Sequence, residues 1–154
     1  EEKQMQIEQF SDILEWTANY HKALAEQLHC CCKKTDLNKL VLDYLAMHEN
    51  HLSKLILAFK NLGKTGELDT YFVEYINDKP DIPLLCPPNL DDCTTYEQVI
   101  EHVMKRHQQI IELFSYLRKQ MVVGHQIELL DSILETEQQE IKIMAHGINR
   151  AHEL

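Results

Sequence analysis

The chain of 154 residues is long enough for one domain with one hydrophobic core, and its formal net charge is −10. This acidity excludes free nucleic acid as a partner and disfavours an anionic membrane surface, because both are bound through basic residues. No apolar run approaches the roughly 20 residues that a membrane-spanning helix needs. Glycine and proline number four each, and the prolines all lie between Pro80 and Pro88, so the composition predicts an all-helical protein.

The first predicted helix extends from about Lys3 to Cys32. Residues three and four apart form an apolar seam along it, and His21 interrupts this seam near its middle. A second apolar stripe lies to one side of the seam and predicts a surface that packs on the long connection or on a second subunit. We therefore expect a homodimer through the Trp16 face, which consists of Ile13, Trp16, Tyr20 and Ala23.

The second predicted helix begins at Thr35, whose side chain caps it, and ends near Gly63. Its apolar residues again recur three and four apart, and the predicted seam passes through Tyr44 and His48. His48 therefore interrupts the seam of the second helix as His21 interrupts that of the first. Glu49, one position further along, falls outside this seam and is expected on the surface.

Residues 64–93 form a long connection with two predicted parts. Apolar positions from Leu68 to Ile76 have helical spacing and predict a short amphipathic helix. The prolines that follow exclude regular helix and favour extended chain. Such a connection is long enough to return along the whole length of a helical bundle.

A capping box at residues 94–97 begins the third predicted helix, whose apolar seam is interrupted by His107. Gly124 is expected to mark a tight turn before the fourth helix, whose seam is interrupted by Glu137. Two helical hairpins joined by a long crossover predict a single four-helix bundle over residues 1–154. An up-down-up-down bundle, with residues 64–93 as an appended lobe, is the alternative.

The four polar interruptions fall at one depth in the predicted bundle. His21 and His48 lie about 12 to 15 residues from the first hairpin turn, and His107 and Glu137 lie about 15 residues from the second. At about 1.5 Å per residue, each is roughly 20 Å from its turn, which is near mid-length. A layer of imidazole and carboxylate inside an apolar bundle predicts a metal site, because buried polar groups are costly unless they are satisfied.

Two further residues, His51 and Glu140, each follow a layer residue by three positions and face the same side. The resulting pattern resembles the ferritin-like di-metal carboxylate bundles, which place Glu on one helix of each hairpin and Glu-x-x-His on the other. Histidine replaces glutamate at three of the matching positions, and glutamate replaces histidine at one. The His-rich ligand chemistry is also similar to that of hemerythrin-like proteins, although the ligand spacing of those proteins is absent. The matching residues are His21, His48, His51, His107, Glu137 and Glu140.

The resemblance implies a ferritin-like bundle that binds one or two ions of non-haem iron, with manganese or zinc as alternatives. As a function it implies oxygen or peroxide handling by an oxidoreductase, or metal storage. Tyr44 lies one turn from His48 on the same face, where it is expected to support the ligands as a hydrogen-bond donor or a radical site.

Two hypotheses from other classes stay open. The first is an interaction or structural bundle in which the layer holds no metal and Glu137 pairs with a histidine. The second is a signalling bundle, because the run from His51 to Lys54 is similar to the H-x-x-K of histidine phosphotransfer domains.

Five cysteines, three of them consecutive from Cys30 to Cys32, make a poor disulfide framework and predict reduced thiols. A zinc site that joins Cys86 and Cys93 to one of the three is a weaker alternative, because no C-x-x-C pair is present. The reduced thiols and the lack of a recognisable signal peptide predict a cytoplasmic protein.

Overall fold

The structure is a computed structural model that describes residues 10–34, 39–62, 89–91, 93, 95–122 and 124–153. It confirms an all-helical fold compatible with a four-helix bundle, and no strand occurs in these ranges. None of the helices described is both long and apolar enough to cross a membrane. The expected Thr35 cap, Gly63, Cys86 and the short helix from Leu68 to Ile76 lie outside the described residues. The helices are α1 Phe10–Lys34, α2 Lys39–Leu62, α3 Tyr96–Gln120 and α4 Gly124–Glu153.

The ends of α3 differ in detail from the predicted ones. Thr95, one residue later than expected, is the N-cap: its hydroxyl accepts a hydrogen bond from the Gln98 backbone, and the Gln98 side chain accepts one from the Thr95 backbone. Gln98 serves a capping box as glutamate does, so the expected box at residues 94–97 is wrong by one position. Gly124 is the first residue of α4 and not part of a turn, because the helical chain already breaks at Met121, whose backbone is extended.

Polar contacts near the ends of α1 and α2 show how this hairpin runs. Lys60 Nζ lies 3.2 Å from Glu15 Oε2 at one end, and His29 Nδ1 lies 3.6 Å from Asp43 Oδ1 at the other. From the first contact to the second, the residue number rises on α1 and falls on α2, so the two helices are antiparallel. The α3–α4 hairpin is closed by an exposed Arg118–Asp131 ion pair. His107, earlier on α3, lies beside Glu137, later on α4, so these two helices are also antiparallel.

The two hairpins meet where α2 packs against α4. Tyr44 donates a hydrogen bond from its hydroxyl to the Ile143 carbonyl at 3.0 Å, and further along α2 the His48 Nδ1 lies 2.7 Å from Glu140 Oε2. Since the contacts move backwards along α4 as they move forwards along α2, these two helices are also antiparallel.

The core consists of two apolar clusters with a polar layer between them. One cluster joins the first half of α1, the second half of α3 and the first half of α4, together with Ile56 of α2. The other joins the second half of α1, the first halves of α2 and α3, the second half of α4, Leu52 of α2 and Leu90 from the connection. The buried polar side chains at mid-length of the helices separate the two clusters, as the depth of the sequence interruptions predicted.

The second stripe of α1 is largely internal. Ile13 and Tyr20 are buried in the first cluster, and Trp16 is half-buried against it, with its ring centroid 5.2 Å from that of Tyr20. Packing within the chain therefore covers most of the Trp16 face. A homodimer through the remaining exposed part of Trp16 stays a prediction.

Candidate functional site

Four ionisable side chains, one from each helix, meet in the polar layer at the centre of the protein. Each of the four is 0 % exposed. Each imidazole approaches both carboxylates and each carboxylate approaches both imidazoles, so the four groups form a closed circuit. These residues, called the central cluster below, are His21 of α1, Glu49 of α2, His107 of α3 and Glu137 of α4.

Three of the four contacts in the central cluster are hydrogen bonds. His21 Nδ1 lies 2.7 Å from Glu49 Oε2, and His21 Nε2 lies 2.6 Å from Glu137 Oε1. His107 Nε2 is hydrogen-bonded to Glu49 Oε1. The fourth contact, from His107 Nδ1 to Glu137 Oε2, spans 3.4 Å. In the part of the chain that the structure describes, these last two atoms are the buried side-chain polar atoms without a hydrogen-bond partner.

The carboxylates hold both histidines in their charged forms when only protons are bound. Burial alone would lower the pKa of His21, but the charges of Glu137 and Glu49 and the hydrogen bonds to them raise it from 6.5 to about 10. Burial alone would also lower the pKa of His107, but the neighbouring carboxylates, chiefly the charge of Glu49, raise it from 6.5 to about 9. The resulting cluster contains two imidazoliums and two carboxylates and carries no net charge.

The carboxylates respond in the opposite direction. Burial would raise the pKa of Glu137, but the charges of His21 and His107 lower it to about 2. The pKa of Glu49 is also lowered, because the adjacent His107 and His21 outweigh the effect of burial. Each of the four charges is therefore stabilised by its neighbours and not by solvent.

The structure brings three of the six predicted ligands together. One ligand atom from each of His21, His107 and Glu137 lies within 4.8 Å of the other two, so these residues are close enough to share one ion after small side-chain movements. Sequence spacing found these three because each interrupts an otherwise apolar seam near the middle of its helix.

The other three predicted ligands form a separate outer group between α2 and α4. His48 Nδ1 and Glu140 Oε2 are hydrogen-bonded at 2.7 Å, with side chains 14 % and 9 % exposed. His51 is 56 % exposed, and its Nε2 lies 3.8 Å from the other oxygen of Glu140. The edge of the Tyr44 ring packs on His48 at a centroid distance of 4.5 Å. The role of this outer group as metal ligands stays a prediction.

The prediction that Glu49 lies on the surface is wrong, because the inward face of α2 is rotated by one residue from the predicted seam. Tyr44 and His48 are only partly buried, whereas Glu49 is fully buried. A signal for the correct seam was present in the sequence, since apolar residues three and four apart also surround Glu49. They are Leu42, Leu45, Leu52 and Ile56, and each is 0 % exposed.

The fold and site together define an all-helical protein with a buried histidine–carboxylate cluster. No protein-family model, no curated protein and no solved structure matches the chain. The resemblance to ferritin-like bundles therefore depends on residue spacing alone and stays a prediction.

Proposed function

We propose that this chain is a metal-binding helical bundle whose central cluster holds one transition-metal ion through His21, His107 and Glu137. Two imidazoles and one carboxylate are a donor set that non-haem iron uses, and the same set also binds zinc. Iron is the first choice, with manganese or zinc as alternatives.

The observation that carries this proposal is the long contact between two buried atoms, His107 Nδ1 and Glu137 Oε2, neither of which has a hydrogen-bond partner. Their 3.4 Å separation is too long for a good hydrogen bond. Two ligands bound at about 2.0–2.1 Å to one tetrahedral ion are separated by about 3.4 Å. Buried polar atoms are stable when they have close partners, and one ion between these two atoms would bind both.

The charge of the cluster supports a single ion over two. Glu49 and Glu137 contribute two negative charges in a layer that is fully buried. One divalent ion, with both histidines neutral, leaves the layer without net charge. Two divalent ions would leave two uncompensated positive charges in a site without solvent, which is costly unless anions bind with them.

The directions of the helices support the ferritin-like topology that the sequence predicts. Since α4 runs antiparallel to both α2 and α3, the helices α2 and α3 are parallel. The C-terminal part of α2 packs in the first apolar cluster through Ile56 and Phe59, whereas Leu90 packs in the second, just before α3 begins. These positions of the two ends support a long crossover between the hairpins, as in a one-crossover four-helix bundle.

Three protein ligands leave coordination positions for a small molecule, which is why this donor set suits oxygen or peroxide handling as well as metal storage. A bound iron would supply Lewis acidity and one-electron redox chemistry. The surrounding residues would hold the ligands and exclude water from the layer.

Metal reconstitution tests this function. Purified chain is stripped with chelator, incubated separately with Fe²⁺ without oxygen, Mn²⁺ or Zn²⁺, desalted and analysed for bound metal by mass spectrometry. We expect about one equivalent in the wild type and a loss of that equivalent in Glu137→Gln, which keeps the shape of the side chain but removes its charge.

Glu140→Gln is the matched control, because Glu140 lies on the same helix three residues further on but outside the central cluster. It should keep the central equivalent. A wild type that binds none of the three ions, or a Glu137→Gln variant that binds as the wild type does, would contradict the proposal.

Histidine phosphotransfer is the second candidate function, and the exposure of His51 favours it. His51 and Lys54 line an open groove of about 450 Å³ beside Asn50. The Glu140 carboxylate, 3.8 Å from His51 Nε2, opposes it, because its charge repels an incoming phosphoryl group. Incubation with the small phosphodonor phosphoramidate tests this candidate: a phosphohistidine lost in His51→Ala would support it, and an unmodified His51 would remove it.

A further inference from the structure

Glu49 occupies a different place from Glu137 in the central cluster. Both of its oxygens are already used, Oε2 by His21 Nδ1 at 2.7 Å and Oε1 by His107 Nε2. Glu137, by contrast, keeps Oε2 without a hydrogen-bond partner. The two carboxylates are thus distinguished by their contacts, although both are fully buried.

The contacts of Glu49 leave one ring nitrogen of each histidine facing the other carboxylate. His21 turns Nε2 towards Glu137 at 2.6 Å, and His107 turns Nδ1 towards it at 3.4 Å. A neutral imidazole has one N–H and one lone pair, on opposite nitrogens. If the N–H of each ring is donated to Glu49, the lone pairs of both rings face Glu137.

We propose that Glu49 is a positioning residue that orients both histidines for the metal and is not itself a ligand. This inference rests on the proposed function and adds which nitrogen of each ring binds: Nε2 of His21 and Nδ1 of His107. Metal-bound histidines commonly donate their other N–H to a carboxylate, which fixes the ring and its tautomer. Here one carboxylate does so for two ligands on two different helices.

The proposal requires opposite tautomers at the two histidines, which a purely structural ion pair would not impose. Zn²⁺ alone is the probe, because it is diamagnetic, and long-range ¹H–¹⁵N correlation spectra of the zinc-loaded wild type identify the protonated nitrogen of each ring. We expect His21 to carry its proton on Nδ1 and His107 to carry its proton on Nε2. The same tautomer at both histidines would overturn the proposal without the use of any variant.

Zinc affinity, measured by competition with a chromogenic chelator, gives the second readout. The amide of Glu49→Gln replaces one of the two acceptor oxygens by an NH₂ donor, so one of the two histidines loses the acceptor that it has in the wild type. We expect affinity to fall about 10- to 100-fold while the bound amount at saturation stays near one equivalent. Glu49→Asp keeps both acceptors on a shorter side chain and should recover part of the affinity. Glu135→Gln, at an exposed position of α4, should match the wild type.

The outcomes separate this inference from the proposed function. A wild type that binds zinc at the central cluster, with unchanged affinity in Glu49→Gln, overturns only the positioning role. A loss of the bound equivalent in Glu49→Gln, even at saturating zinc, would make Glu49 a ligand and also overturn that role. A wild type without bound zinc, iron or manganese overturns both.

Discussion

The aromatic ring of Tyr44 on α2 lies directly against the backbone of Gly147 on α4. A β-carbon built on Gly147 would stand 2.6 Å from the Tyr44 hydroxyl oxygen and closer still to the ring. The same ring packs on His48 and its hydroxyl donates to the Ile143 carbonyl, so Gly147 makes room for the side chain that supports the outer group.

Gly147→Ala should therefore displace Tyr44 and break its hydrogen bond. We expect a loss of about 1–2 kcal/mol in the free energy of unfolding from overpacking, even though alanine favours helix more than glycine does. Chemical denaturation of the metal-free protein measures this loss, and the imidazole resonances of His48 report the displaced ring.

Gly124→Ala is the matched control, because nothing lies within 4 Å of its added β-carbon. It should be neutral or stabilising by up to about 1 kcal/mol. In a Tyr44→Ala background the obstacle is gone, and Gly147→Ala should lose most of its cost. Equal effects of the two glycine substitutions in the wild-type background would contradict this account.

The stability of the metal-free protein should be greatest between about pH 4.5 and 6.5. The pKa of His21 is raised from 6.5 to about 10, so the folded state keeps a proton that the unfolded state releases, and stability falls as pH rises through this range. The pKa of Glu137 is lowered from 4.5 to about 2, so stability also falls as pH drops below 4.5. Denaturation curves in the presence of chelator across pH 3–9 measure both slopes.

The metal-loaded protein provides the comparison for this pH dependence. Binding of an ion displaces the imidazole protons, so the free energy of unfolding that the metal adds should grow between pH 6 and 8. Over the same interval the free energy of unfolding of the metal-free protein should fall. Metal-free protein that becomes more stable over this interval would contradict the charged form of the central cluster.

Removal of one member of the central cluster should cost far more than removal of all four. Glu49→Leu takes away the hydrogen-bond acceptor of both imidazoles and should destabilise the metal-free protein by about 3–5 kcal/mol. Replacement of all four residues by leucine leaves no uncompensated charge, and such exchanges are often neutral or stabilising by about 1–4 kcal/mol. Urea denaturation of both variants measures the difference, and the reverse order of stabilities would contradict this view of the layer.

Much of the architecture could be predicted from the sequence, because the apolar periodicity of each helix and the depth of its polar interruption are local properties. His21, His107 and Glu137 were found in this way, and they lie together as expected. The helical class and the absence of strands in the described ranges also followed from composition and periodicity.

The missing member, Glu49, shows what local patterns do not determine. On α2 two apolar stripes one residue apart fit the helical period equally well, and a rotation of about 100° exchanges them. The choice between them depends on packing against α1 and α4, where Tyr44 lies against the backbone of Gly147 and Glu49 is fully buried. The sequence predicts His48 in the polar layer, whereas in the structure His48 pairs with Glu140 in the outer group.

The most direct test of the central claim is a crystal structure of the iron- or zinc-loaded protein with anomalous diffraction recorded at the metal edge. We predict one anomalous peak at the centre of the bundle, within about 2.2 Å of His21 Nε2, His107 Nδ1 and a carboxylate oxygen of Glu137. Glu49 should remain hydrogen-bonded to the far nitrogens of both rings. A peak at His48 and Glu140 instead, or a central cluster that stays closed by hydrogen bonds in saturating metal, would contradict the account.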